Sequence, residues 1–241
     1  MKGVLITFEG TEGSGKSTHV QLLAERLRTA GRTVRVLREP GGTPIGEEIR
    51  HTLKHSQQNH AMTAETELLL MNASRAQLVR EVIRPALTAG EAVLCDRYFD
   101  STIAYQGYGR RLDLKTVRAV VDFAVGQTRP DLTFLLSVPI EVSEARRLAR
   151  QQAMLLDLPP RGQKPEGRAT PAFSQPLRDR MEEADRDFFG RVEDGYKAIA
   201  AAEPRRVCVI DSTQPLETVK DAVWQRVEPL LAEAISQPAS R

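Results

Sequence analysis

The chain has 241 residues, enough to bury a sizeable core, and α/β folds of this length are often a single domain. Hydrophobic residues make up 41% and charged residues 27%, which excludes a fibrous or disordered chain and reads as soluble and globular. The formal net charge of +2 is too small to imply a nucleic-acid partner by itself, and no apolar run reaches membrane-spanning length.

The chain opens with MKGVLITFEG, which carries no long apolar leader and no small-residue cleavage site, so a cytoplasmic location without membrane attachment is expected. Residues 4–8 are the first of five short β-rich runs, and the others cover 33–37, 92–95, 132–138 and 206–210. Each is apolar at both alternating positions, as strands buried on two faces are. Directly after the first run, Gly10, Thr11, Glu12, Gly13, Ser14, Gly15, Lys16 and Ser17 fit the pattern G-x-x-x-x-G-K-[ST]. Thr18 follows, leading a helical pattern in which Val20, Leu23 and Leu27 share a face. Strand, loop and helix are the setting in which this motif cradles phosphates. Glycines permit backbone angles and a close approach that side chains would block. The loop amides then point inward, and the positive end of the next helix adds to the field. Lys16 is expected to face solvent until a nucleotide arrives and then to reach the β- and γ-phosphates, while Ser17 offers its hydroxyl to Mg²⁺.

Further along, residues 63–87 are long enough for several helical turns. Asp96, Arg97 and Tyr98 follow the run 92–95, and strand C-termini of parallel sheets face the ligand crevice. Asp96 is therefore placed to hold Mg²⁺ through water, and Arg97 to grip a phosphate bidentately. Leu114, Val117, Val121 and Ala124 recur at helical spacing behind Asp113, a candidate N-cap. Residues 151–178 hold five prolines and read as an extended, mobile loop. Residues 146–178 carry seven Lys or Arg against two acidic residues, so two readings stand, a tolerated surface insertion or a cationic lid. A long helix is expected over 175–202. Cys95 and Cys208 lie in apolar runs and suit reduced thiols. Strands alternating with helices predict an α/β chain with a mostly parallel sheet covered on both faces. The guanine-reading N-K-x-D of a switch GTPase is absent. The D-x-x-G match at Asp187 to Gly190 sits in a helical pattern without a preceding strand and is read as chance.

The stretch DRYFDSTIAYQGYGRRLD, residues 96–113, resembles the D-R-Y-x-x-S-x-x-A-Y-Q-G-x-G-R signature of bacterial thymidylate kinases. REPGGTPIGEEIR, residues 38–50, resembles their R-E-P-G-G-T segment. EGTEGSGKST, the trio Arg75, Ala76 and Gln77, RPDLTFLL and VIDSTQPLETV fit in the same order, so the resemblance covers nearly the whole chain outside 151–178. It implies a P-loop nucleoside monophosphate kinase-like fold of three layers, α/β/α, with a five-stranded parallel sheet and a mobile lid, in one domain over 1–241. It also implies transfer of the ATP γ-phosphate to dTMP with Mg²⁺, in a homodimer.

Carried onto matching positions, the resemblance gives residues 10–18 to ATP. Glu12 resembles the P-loop carboxylate near the acceptor sugar and the catalytic centre. Arg97 resembles the arginine on the acceptor phosphate, with Arg50 sharing that task, and Arg75 the arginine on the thymine edge. Ser101 and Thr102 match positions beside base and phosphate, Tyr105 matches the tyrosine that crowds the sugar 2′ position, and Glu39, Pro40 and Gln106 line the same pocket. Gly13 sits where some members carry an arginine; the bacterial type takes that charge from the lid, where Arg146 and Arg150 match. Asp179 to Glu182 resembles the exit from the lid. Met71 stands where the family usually stacks a phenylalanine on thymine, and it either packs on the base or belongs to the core. A kinase for another nucleotide or deoxynucleoside, and a P-loop NTPase switch module, are the alternative readings.

Overall fold

A computed structural model describes residues 3–156 and 186–236. Five strands, β1 (Val4–Glu9), β2 (Val34–Arg38), β3 (Ala92–Asp96), β4 (Leu132–Ser137) and β5 (Val207–Asp211), form one parallel sheet in the order β2-β3-β1-β4-β5. Each lies within one residue of its expected bounds. The expectation of burial on both faces holds for the three central strands only. The outer strands β2 and β5 are half-covered, and Val209 of β5 stands 54% exposed, because an edge strand has a neighbour on one side alone.

The helices are α1 (Lys16–Thr29), α2 (Pro44–His55), α3 (Ala64–Leu78), α4 (Arg84–Thr88), α5 (Phe99–Thr102), α6 (Leu114–Val125), α7 (Ile140–Leu156), α8 (Arg186–Ala202) and α9 (Leu216–Ser236). Side-chain caps start three of them. Thr43 accepts from Gly46 N ahead of α2, Thr63 accepts from Thr66 N ahead of α3, and the Asp113 carboxylate accepts from Thr116 N at 2.8 Å ahead of α6. A π-helical segment, Val79–Ile83, joins α3 to α4, so the helical stretch expected over 63–87 is continuous. A second, Ile103–Gly109, extends α5. π-helical turns of this kind often mark functional sites.

Alternation along β1 sends Val4, Ile6 and Phe8 to one face and Leu5 to the other. The first face packs on α1 and α9 through Val20, Leu23, Leu27, Val219, Val223 and Val227. The second packs on α3, α6 and α8 through Leu68, Leu78, Val117, Val121, Phe188 and Val192. Helix, sheet and helix thus make the three expected layers. The D-x-x-G match falls inside α8, in keeping with chance. Cys95 is buried in β3 and Cys208 half-buried in β5, both as free thiols.

One boundary differs from expectation. α7 continues through Leu156, past the point at 151 where a loop is expected to open. The residues QQAMLL are good helix formers, and the first proline comes only at 159. The remainder of that segment, with the start of the helix expected over 175–202 and the Asp179 to Glu182 stretch, lies outside the described residues.

Candidate active site

Three strand ends converge. β1 ends in Glu9 and feeds the glycine-rich loop, β3 ends in Asp96 and Arg97, and β2 delivers Glu39 beside a cis peptide bond to Pro40. β1 pairs with β3 on one side and β4 on the other, so the loop leaves the sheet where strand order reverses, the usual ligand position in open α/β sheets.

The loop is tightly walled. Gly10 has φ 134 and Gly13 φ 75; a Cβ would lie 2.5 Å from Leu136 O at the first and 2.8 Å from Ser143 O at the second. Helix α7 is pinned against it. Ser143 Oγ donates to Glu12 O at 2.5 Å, and Arg146 donates to Gly13 O at 3.3 Å and to Ser212 O at 3.0 Å. Lys16 corrects the expectation of a solvent-facing chain. It is buried, with Nζ donating to Thr11 O at 2.7 Å and Gly10 O at 3.1 Å, because the ammonium finds carbonyl acceptors within its own loop. Burial, with Arg97 nearby, pushes its pKa down to about 7 against the pull of Asp96, Glu12 and Glu9. Ser17 Oγ donates to Asp96 Oδ2 at 2.5 Å, which sets two hard oxygens side by side, the donor type that Mg²⁺ takes. Among the described residues no group of three or more His, Cys, Asp or Glu could hold a metal unaided. The pair therefore fits an ion that takes its other ligands from phosphate and water.

Beyond the loop lies a narrow cavity of about 60 Å³. Glu12, Glu39, Pro40, Arg75, Arg97, Ser101, Thr102, Tyr105 and Gln106 all line it, as does Met71. Arg50 does not; it opens instead on the adjoining cleft, with Gly13, Gly15, Lys16, Ser17, Thr18, Asp96 and Arg146. Its Nη1 donates to Pro40 O at 2.8 Å. Glu12, Glu39, Lys54 and Arg97 line both spaces, so the cavity and the phosphate cleft meet at those four side chains. Arg150 lies on α7, and its side chain is outside the described residues.

The cavity walls are polar side chains that hold one another. Arg75 is buried; Nε donates to Glu39 Oε2 at 2.7 Å, Nη1 to Asn72 Oδ1 at 2.8 Å and Thr102 Oγ1 at 2.9 Å, and Nη2 to Tyr98 O at 3.2 Å. The other Glu39 oxygen, Oε1, is buried without a hydrogen-bond partner, and burial raises this carboxyl's pKa against the opposing charge of Arg75. Glu67 accepts from Gln106 Nε2 at 2.8 Å and from Arg110 Nη2 at 3.0 Å. Arg97 adopts a left-handed backbone, φ 70, which non-glycine residues rarely take and which clusters at functional sites. Its guanidinium donates to Ser101 Oγ at 3.1 Å and Tyr105 OH at 3.3 Å.

Sequence reasoning missed Glu9, Tyr196, Glu67, Lys54 and Phe189. Glu9 had a signal, a lone charge closing an otherwise apolar run. Tyr196 had none, since with Phe188, Val192 and Ile199 it reads as an ordinary core stripe of α8.

A glycine-rich loop, its lysine and hydroxyl, and a cavity opening onto them define a P-loop phosphotransferase of the nucleoside monophosphate kinase architecture. The model of the family described as "Thymidylate kinase" matches residues 8–223. The chain belongs to the thymidylate kinase family. It is 44% identical to the thymidylate kinase of Alcanivorax borkumensis over 232 residues, 96% of this chain and 99% of that one. It is 44% identical to that of Thermomicrobium roseum over 233 residues, 97% of this chain and 98% of that one. The crystal structure of thymidylate kinase from Ehrlichia chaffeensis superposes with a TM-score of 0.69 at 30% identity, covering 95% of this chain and 99% of that one.

Proposed function

We propose that this enzyme transfers the γ-phosphoryl group of ATP to the 5′-phosphate of dTMP, giving dTDP and ADP. The observation that carries the reading is the junction at Glu12 and Arg97, where the cavity lined by Arg75, Thr102 and Gln106 meets the phosphate cleft. An oxygen of the acceptor phosphate bonds to the γ-phosphorus as the bond to the β,γ-bridging oxygen breaks. The acceptor is already anionic, so positioning and charge neutralisation do the catalysis. The loop amides of residues 10–18 hold the donor phosphates. Lys16 exchanges its loop carbonyls for the β- and γ-oxygens. Arg97 and Arg50 hold the acceptor phosphate, Glu12 stands by the acceptor sugar, and Arg146, with Arg150, supplies charge from α7. Mg²⁺, held by Ser17 and through water by Asp96, would neutralise charge on the β- and γ-oxygens. Arg75, Thr102 and Gln106 face the base, Tyr105 and Ser101 the sugar and phosphate, and Glu39 and Pro40 close that wall.

A second copy of the chain would dock on α3 and α6, where Leu69 and Phe123 stand 58% and 82% exposed on packed neighbours. No helix among the described residues is long and apolar enough to cross a membrane. The cytoplasm, which keeps thiols such as Cys95 and Cys208 reduced and holds the nucleotides, is the compartment we assign. The test is ADP formation from ATP and Mg²⁺ with each nucleoside monophosphate in turn. dTMP should be the preferred acceptor. Preference for another monophosphate, or hydrolysis independent of any acceptor, would reject the reading.

A further inference from the structure

Glu9 is fully buried at the end of β1 and reaches neither the cleft nor the cavity lining. It is nonetheless the hub of the hydrogen bonds behind Arg97. Oε1 accepts from Tyr98 N at 2.7 Å, which leaves Oε2 to face two hydroxyls, Ser101 Oγ at 2.5 Å and Tyr196 OH at 3.0 Å. Both hydroxyls also lie under Arg97 Nη1, at 3.1 and 3.4 Å. A guanidinium can only donate, and a carboxylate, once ionised, can only accept. Burial and the charge of Asp100 raise the Glu9 pKa to about 7, so Glu9 is mostly ionised at pH 8. In that state each hydroxyl has its direction imposed, taking a hydrogen bond from Arg97 and giving its own hydrogen to Glu9.

We propose that Glu9 is a positioning residue for the acceptor phosphate, aiming the Arg97 guanidinium through the hydroxyls of Ser101 and Tyr196. The inference rests on the reading of Arg97 as the acceptor-phosphate arginine. It differs from ordinary core support because it depends on hydrogen-bond direction and not on shape. In Glu9→Gln the amide oxygen must stay on Tyr98 N, so the amide NH₂ faces the hydroxyls. Both would then accept from it, and at least one hydroxyl hydrogen turns toward Arg97, which has no acceptor to offer. The volume is unchanged while the aim of Arg97 is lost.

The experiment is steady-state kinetics at pH 8, where Glu9 is mostly ionised, of the full-length parent, Glu9→Gln and Tyr196→Phe, varying dTMP and ATP separately, with melting temperatures. Glu9→Gln should raise the dTMP KM by about 10-fold or more, as expected for losing a charge-assisted contact, with the ATP KM within about two-fold. Tyr196→Phe keeps the ring, removes one of the two relays, and should raise the dTMP KM by a smaller factor of about three, with its melting temperature kept. A parent-like dTMP KM in a folded Glu9→Gln, or equal rises in both KM values, would overturn the proposal. Should Glu9→Gln not fold, a parent-like dTMP KM in Tyr196→Phe overturns it alone. A parent without dTMP-dependent ADP formation would reject the reading of the site and this inference with it; an active parent confines any failure to Glu9.

Discussion

The two halves of the site are made from different material. The proposed phosphate cleft is a backbone device, with glycines at positive φ and the start of α1 supplied by one continuous segment. The acceptor cavity is a side-chain device. Arg75 from α3, Glu39 from the end of β2, Thr102 from α5 and Gln106 from the π-helical segment come from distant parts of the sequence; Arg75 holds Glu39 and Thr102, and Gln106 holds Glu67, before any ligand arrives. A substitution in the cleft removes one interaction from chemistry that the backbone otherwise still supports. A substitution in the cavity leaves its partners buried and unpaired, so its effects spread into stability.

Arg75→Ala should sharpen this contrast most. It strips the buried carboxylate of Glu39 of its partner, and breaking a buried pair costs about 3–5 kcal/mol. Denaturant melts should record that loss, and adding Glu39→Gln in the same chain should restore part of it. An Arg75→Ala protein as stable as the parent would break the comparison. Lys16→Ala should do the reverse, lowering turnover by about 10²-fold or more while leaving the melting temperature near the parent's. Met71 lines the cavity and is half-buried, so Met71→Phe should tighten dTMP binding by about 0.5–1.5 kcal/mol through stacking on the base. Weaker binding together with a lower melting temperature would return Met71 to the core. The smallest effect is a proton count. With the Lys16 pKa held near 7, the ammonium is mostly charged at pH 6 and mostly neutral at pH 8, and bound triphosphate favours the charged form. ATP binding should therefore take up a proton at pH 8, approaching one, and far less at pH 6. Calorimetry in buffers of differing ionisation enthalpy measures this, and Lys16→Ala should abolish the difference.

The same division explains what could be read in advance. The five strands, the loop and the Asp113 cap were legible because each is local, set by an apolar run, a fixed glycine spacing or a residue three positions from its amide partner. Most of the acceptor side was legible only through the resemblance of the 96–113 signature, and the resemblance did not reveal what the residues do to one another. The Glu9 to Tyr196 contact joins positions 187 residues apart, and no periodicity encodes it. The burial of Lys16 escaped for a related reason, since residue type says that a lysine prefers water while the loop's carbonyls outbid water locally. Edge status was only partly visible. Arg35 inside β2 marks an open position, but the apolar run of β5 gives no sign that Val209 stands exposed, and strand order reveals which strands lack a neighbour.

The cramped surroundings of Gly13 bear on how such enzymes can diverge. Two arrangements of catalytic charge are conceivable in this family, an arginine carried on the loop or one delivered from α7. Here a Cβ at position 13 would press on Ser143 O at 2.8 Å and on the Arg146 Cβ at 3.3 Å, at a backbone angle that side chains rarely adopt. A lineage that acquired the loop arginine first would have to move the α7 backbone at Ser143, and one that lost Arg146 first would forfeit its charge. The two solutions are thus coupled through the packing of α7, so a family tree should show them switching together with it.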